Sequence, residues 1–194
     1  MNMSQQASLP GFAPAAATDR LFLAIFPDRG TAADMVALAA AQCASHDLRG
    51  KPLAMDRLHV TLFHLGDTVG LRRDVVDAAT EAAATLKATP FELRFDQVGS
   101  FAGRRDKLPF VLRAQDGNAP LRAFHAALAA RLSESGLGRF AAESFEPHVT
   151  LAYDARMVTT EAVAPVVWTA HEFVLVHSLL GQTRHIPLGR WPLG

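Results

Sequence analysis

The sequence predicts an α+β fold: antiparallel sheets with helices packed outside them. Three observations point there. Strand-like and helix-like stretches are interspersed without a regular βαβα alternation, which disfavours a parallel sheet. The segment His-Val-Thr-Leu occurs twice, at 59–62 and 148–151, each time after an alanine-rich helical stretch, which hints at two related lobes. The 194 residues are 49% hydrophobic and 20% charged, enough to bury a core without disulfides or structural metal.

Each element has a local reason. Residues 21–26 (LFLAIF) form a continuous apolar run closed by Pro27-Asp28, the mark of a buried strand. Asp28 or Thr31 can cap the alanine-rich helix that follows to about Ala44. Residues 57–65 read as a strand ending at Gly66-Asp67, and 71–87 have helical spacing that stops before Pro90. Residues 91–98 alternate like a strand, broken by the 99–103 segment with its two glycines. Residues 108–114 form another strand, ended by Asp116-Gly117-Asn118. A helix over 121–134 runs to Gly136 and Gly138. Residues 148–153 are a strand, and two more, 172–179 and about 183–191, turn at Gly181. Residues 1–18, rich in Gln, Ser, Pro and Ala, read as a disordered tail, leaving 19–194 as one domain.

Composition narrows the function. Nineteen Lys and Arg balance nineteen Asp and Glu, so the net charge is zero and broad polyanion binding is disfavoured. Recognition of a single phosphate needs only local charge. Cys43 is the only cysteine, which excludes an intrachain disulfide and fits a reducing cytoplasm. There is no secretory signal pattern and no apolar run long enough to span a bilayer. No heptad repeat points to obligate assembly, so a monomer is expected.

The repeated motif carries the chemistry. In a strand, residues i and i+2 share a face. His59 therefore pairs with Thr61 on one side while Val60 and Leu62 face the other; His148 and Thr150 repeat the arrangement. One such segment arises by chance about 0.1 times in a chain of this length, so the duplication is the signal. Hydrolysis of a phosphodiester needs a base for the attacking water and an acid for the departing oxygen. Imidazole can do either near neutral pH. Two imidazoles flanking one phosphorus suit an in-line displacement, and threonine hydroxyls can hold the non-bridging oxygens. The scheme needs no metal and no cofactor. No HExxH, Cys-x-x-Cys, P-loop or nucleophile-elbow pattern is present.

At these residues the sequence resembles the 2H phosphoesterases, and within them the bacterial RNA 2′,3′-cyclic phosphodiesterases, also called 2′-5′ RNA ligases. Residues 58–66 (LHVTLFHLG) and 145–152 (FEPHVTLA) resemble the two motifs. Residues 20–24, 173–180 and 189–191 resemble the first and last strands, so the likeness runs from about Asp19 to the C-terminus. It implies a bilobal fold with two antiparallel sheets lining a central cleft, one motif from each lobe. It implies hydrolysis of 2′,3′-cyclic phosphate RNA ends to a 2′-phosphate, with reversible 2′-5′ ligation as a further activity. His59 and His148 take the catalytic positions, Thr61 and Thr150 the phosphate-binding ones. The favoured order is His148 as base and His59 as acid; the residue types are symmetric, so both orders stay open. The chain departs from the usual pattern at Phe63-His64, at Tyr153 where arginine is common, and at His185 where tyrosine is common.

Other residues are candidates for substrate binding. Phe63 falls on the face of His59 and Thr61, where it can stack on a base or pack a core. Tyr153 falls on the opposite face unless the strand twists. Arg104, Arg105 and Lys107 follow a glycine-containing loop and can clamp a phosphate; Arg57 and Arg184 are weaker candidates. Expected partners are RNA ends or small nucleotides bearing a cyclic phosphate. Small cyclic or 2′-5′ linked nucleotides, or RNA binding without catalysis, are the alternatives.

Overall fold

The computed structural model describes residues 15–104, 106–141 and 144–194. Its strands are β1 (Asp19–Ile25), β2 (Val60–Thr68), β3 (Phe91–Ser100), β4 (Leu108–Arg113), β5 (His148–Asp154), β6 (Glu161–Ala170), β7 (Glu172–Leu179) and β8 (Arg184–Pro192). The helices are α1 (Arg29–Ser45), α2 (Arg73–Thr85) and α3 (Ala119–Glu134). Of the tail expected at 1–18, residues 1–14 lie outside the described ones, and the Thr18 N–H donates to the Thr68 carbonyl at 2.9 Å.

Local sequence explains the helices. Asp28 caps α1, its carboxylate accepting from the Thr31 N–H at 3.0 Å. Ala32, Met35, Ala39 and Cys43 recur at helical spacing and form the buried stripe of α1. Val75, Ala79, Ala82 and Ala83 do the same for α2, and Leu121, Phe124, Leu128 and Leu132 for α3. All three stripes join a single core with Leu23, Val60, Leu62, Phe110, Val149 and Leu175 of the sheet. Phe22, Ala24, Val174 and Val176 form a separate small cluster from alternate strand positions. The three helices thus cover one face of the sheet, and the other face is left to the motifs.

The expectation of two sheets is corrected. All eight strands join one antiparallel sheet in the order β6-β3-β4-β5-β2-β1-β7-β8. Each motif does belong to its own four-stranded half, β2 to one and β5 to the other. The halves are joined by the Val60–Val149 pair, the only paired position between β2 and β5. By contrast β4 and β5 pair along Leu108 to Arg113.

A strand that sequence reasoning overlooks is β6, whose proline at 165 argues against a ladder. It sits at the sheet edge, where a missing N–H is tolerated. The ladder is irregular there: Phe95 pairs with Val166 and Gln97 with Ala162, so Pro165 falls in the skipped stretch. A 3₁₀ turn, Met55–Arg57, replaces the start of the strand expected at 57.

Candidate active site

The two motifs meet at the seam. Val60 and Val149 face each other and are fully buried in the helix-side core. His59, Thr61, His148 and Thr150 flank this pair and therefore project from the opposite face, all partly exposed. The antiparallel register, carried one residue either way, sets His59 across from Thr150 and Thr61 across from His148. Each histidine thus stands beside the other motif's threonine.

Both imidazoles are fixed in the same way. Nδ1 of His59 lies 2.8 Å from the Arg57 carbonyl, and Nδ1 of His148 lies 2.8 Å from the Glu146 carbonyl. A carbonyl only accepts, so each Nδ1 carries the proton and each Nε2 is the free reactive nitrogen.

Their surroundings differ. His59 stacks on Phe22 with centroids 4.9 Å apart, with Phe26 and His185 each 5.4 Å away. This burial pushes the His59 pKa down to about 4, and the nearby His185, Arg57 and His148 push the same way. Burial likewise lowers His185 to about 4. His148 is met edge-on by Phe101 at 4.9 Å. Arg113, opposite His148 in the ladder, lies over Phe101 and pairs with Glu146 at 2.8 Å.

Both motifs carry a bulge at their leucine. Leu23 and Ala24 pair with Phe63 and Thr61, leaving Leu62 as an extra residue. Phe110 and Val111 pair with Ala152 and Thr150, leaving Leu151 extra. An extra residue reverses the alternation beyond it. This corrects two expected faces. Phe63 turns into the helix-side core, 3% exposed, and does not share the face of His59. Tyr153, 40% exposed, comes onto the motif face together with His64, its counterpart in the first motif.

The loop before β4 supplies the rest. The Lys107 ammonium lies 4.9 Å over the Tyr153 ring. Arg104 is exposed, with Asp106 at 3.6 Å as its partner, and no contact ties it to the histidines. Arg105 lies outside the described residues. Phe22, Phe26, Phe101 and Arg113 were missed from sequence. Strand alternation through 22 and 24 could have placed Phe22 on the motif face; the others arrive from elements with no local signal.

A cavity of about 540 Å³ lies behind Phe26 and His185, the two rings that flank His59, and the motif residues themselves do not line it. Phe26, Val174, Val176 and Pro187 line it with apolar surface, and His185, Asp56 and Arg190 bring polar groups. Among the described residues, no three His, Cys, Asp or Glu side chains gather as a metal-holding group, and no helix is long and apolar enough to cross a membrane.

Residues 26–182 match the model of the 2′-5′ RNA ligase superfamily. The RNA 2′,3′-cyclic phosphodiesterase of Escherichia coli (strain K12) is 30% identical over 149 residues, spanning 74% of this chain and 80% of that one. The crystal structure of E. coli LigT complexed with ATP superposes with a TM-score of 0.70 at 26% identity, covering 91% of this chain and 98% of that one. LigT complexed with 3′-AMP gives 0.65 at 26% identity, covering 92% and 99%.

Proposed function

For a chain that belongs to the 2′-5′ RNA ligase superfamily, we propose hydrolysis of RNA 2′,3′-cyclic phosphate ends to a 2′-phosphate, by two histidines and without a metal. The observation that carries this reading is the pair of Nδ1-anchored imidazoles on one face, each beside the other motif's threonine. The activity of the E. coli relative supports the substrate class.

The cyclic phosphate sits over the seam, its non-bridging oxygens held by the hydroxyls of Thr61 and Thr150. One Nε2 takes a proton from water as its oxygen attacks phosphorus. The bond from phosphorus to the 3′-oxygen breaks, and the second Nε2–H protonates that oxygen, leaving a 3′-hydroxyl and a 2′-phosphate. Ligation runs the same exchange with a 5′-hydroxyl group as the other partner. The two four-stranded halves act as lobes on either side of this cleft.

His59 is neutral at pH 7 because its pKa is about 4, so its Nε2 lone pair is available as the base. His148 then supplies the proton. This order reverses the one favoured from sequence. The 540 Å³ cavity behind Phe26 and His185 takes the terminal nucleoside: its apolar lining and the Phe26 ring suit a base. Tyr153 and Lys107 stand on the other motif's side, where they can meet the RNA strand. Small nucleotides with a cyclic phosphate fit the same cavity and are the second substrate class.

The test is turnover, in excess EDTA, of an RNA oligonucleotide ending in a 2′,3′-cyclic phosphate, beside 2′,3′-cyclic AMP and a 2′-5′ linked dinucleotide. Loss of turnover in His59→Ala and in His148→Ala, with full activity in EDTA, is expected. No turnover of any of the three by folded wild type, or activity that EDTA removes, would overturn the reading.

A further inference from the structure

His125, on α3, is outside the motifs and touches both. Its Nε2 lies 3.1 Å from the carbonyl of Leu62, the bulged residue that follows Thr61. A carbonyl accepts only, so this Nε2 carries the proton and donates. The ring is sandwiched: Phe63 stacks on one side with centroids 4.1 Å apart and planes 13° apart. Phe145 stacks on the other side at 3.8 Å and 1°. Phe145 directly precedes Glu146, whose carbonyl anchors Nδ1 of His148. One turn earlier on α3, the Arg122 guanidinium donates to the Phe145 carbonyl at 2.6 Å and to the Gly117 carbonyl at 2.8 Å.

The two bulges are satisfied differently. The Leu151 carbonyl, in the second motif, accepts from the backbone N–H of Leu53 at 2.8 Å. Its counterpart at Leu62 accepts from the His125 side chain. A bulge leaves a carbonyl out of the ladder, and one without a partner is free to turn. The second motif is therefore held by a backbone N–H, which only a proline at 53 would remove, while the first depends on one imidazole.

We propose that His125 is a positioning residue that sets the first motif against the second, its N–H fixing the Leu62 bulge while its ring docks on Phe145. The N–H is the link that holds Thr61 through the Leu62 carbonyl, and the Phe63 and Phe145 rings keep the imidazole where it can make that bond. Loss of the N–H lets the bulge relax, moving Thr61 relative to His148 by a fraction of an ångström. Misplacement on this scale lowers the rate of the chemical step more than it lowers binding. The inference rests on the two-histidine reading of the site.

Two variants separate the roles of the N–H and the ring. His125→Phe keeps an aromatic between Phe63 and Phe145 and loses the donor. His125→Gln keeps a donor of similar reach and loses the stack. On RNA ending in a 2′,3′-cyclic phosphate, His125→Phe is expected to lower kcat at least 10-fold with KM within 3-fold of wild type. His125→Gln is expected to return kcat to within about 3-fold of wild type. Amide hydrogen exchange at Thr61 is measured alongside; His125→Phe should speed it.

A kcat for His125→Phe within 2-fold of an active wild type overturns the inference and leaves the two-histidine reading standing. So does a His125→Gln as impaired as His125→Phe, which would reduce His125 to packing. If folded wild type turns over nothing, the two-histidine reading falls, and exchange alone decides: faster exchange at Thr61 in His125→Phe supports the positioning role, and unchanged exchange overturns it.

Discussion

Val60 pairs with Val149 across the middle of the sheet, and each valine directly follows a motif histidine. The antiparallel pairing brings two identical four-residue segments together head to tail, so that each histidine stands across the seam from the other motif's threonine. The reactive face is thus a consequence of a single point of strand pairing.

The acid–base order is testable with a leaving group that needs no proton. In either order activity requires one protonated and one neutral histidine, so the His59 ionisation at about 4 should set the acid limb of kcat/KM whichever role it plays. The order is read instead from the single variants on a nitrophenyl phosphodiester, whose leaving group departs unprotonated. If His148 is the acid, His148→Ala should lose about 100-fold or more on the RNA end and far less on the nitrophenyl ester, while His59→Ala loses equally on both. The opposite pattern would make His59 the acid.

Thr61→Val and Thr150→Val keep the branched shape and remove the hydroxyl. Each should reduce kcat by about 100-fold, the typical effect of losing one donor to an oxyanion, with Tm within a few degrees of wild type. A kcat unchanged in both would remove the threonines from phosphate binding.

Tyr153 and Lys107 stand on the face that the Leu151 bulge exposes. Tyr153→Ala should raise KM for a cyclic-phosphate oligonucleotide several-fold while leaving KM for 2′,3′-cyclic AMP nearly unchanged. Equal effects on both substrates would place Tyr153 outside the RNA path.

Gly50 holds the end of the second motif's strand in place. A Cβ at position 50 would lie 1.9 Å from the Tyr153 carbonyl oxygen, too close for any side chain. Asp154, next along, accepts from the Arg49 and Gly50 N–H groups at 2.6 and 2.7 Å. Gly50→Ala should therefore destabilise the protein by about 2 kcal/mol or more, read as a lower Tm in thermal denaturation. An unchanged Tm would show that the loop shifts freely.

Arg20 forks onto Asp67 at 2.7 and 2.6 Å, and this holds the Asp67 pKa down to about 2, with the His64 hydrogen bond assisting. A carboxylate depressed in the folded state adds stability above its unfolded pKa of about 3.9, and that stability is lost as pH falls towards 2. The Arg20 and Asp67 side chains are 45% and 32% exposed, so the contribution is small. Asp67→Asn should lower Tm slightly at pH 6, and the two proteins should converge near pH 2. A gap that persists at pH 2 would mean that packing, not charge, is responsible.

The duplicated His-Val-Thr-Leu was legible by itself, because one residue in two of a strand shares a face and the four polar side chains name their own chemistry. So were the helices, whose alanine and leucine stripes repeat at helical spacing. The sequence by itself thus determined which strands carry the reactive groups and which side of each strand must be buried. Only the tertiary structure decided the rest. Joining of the halves into one sheet depends on where β5 meets β2, a contact between residues 89 positions apart in the chain (149 − 60). The faces of Phe63 and Tyr153 depend on bulges, which arise from the register of a partner strand and leave no local mark. The depressed pKa of His59 depends on Phe22, Phe26 and His185 closing around it, since desolvation is a property of what surrounds a group and not of the group's own segment.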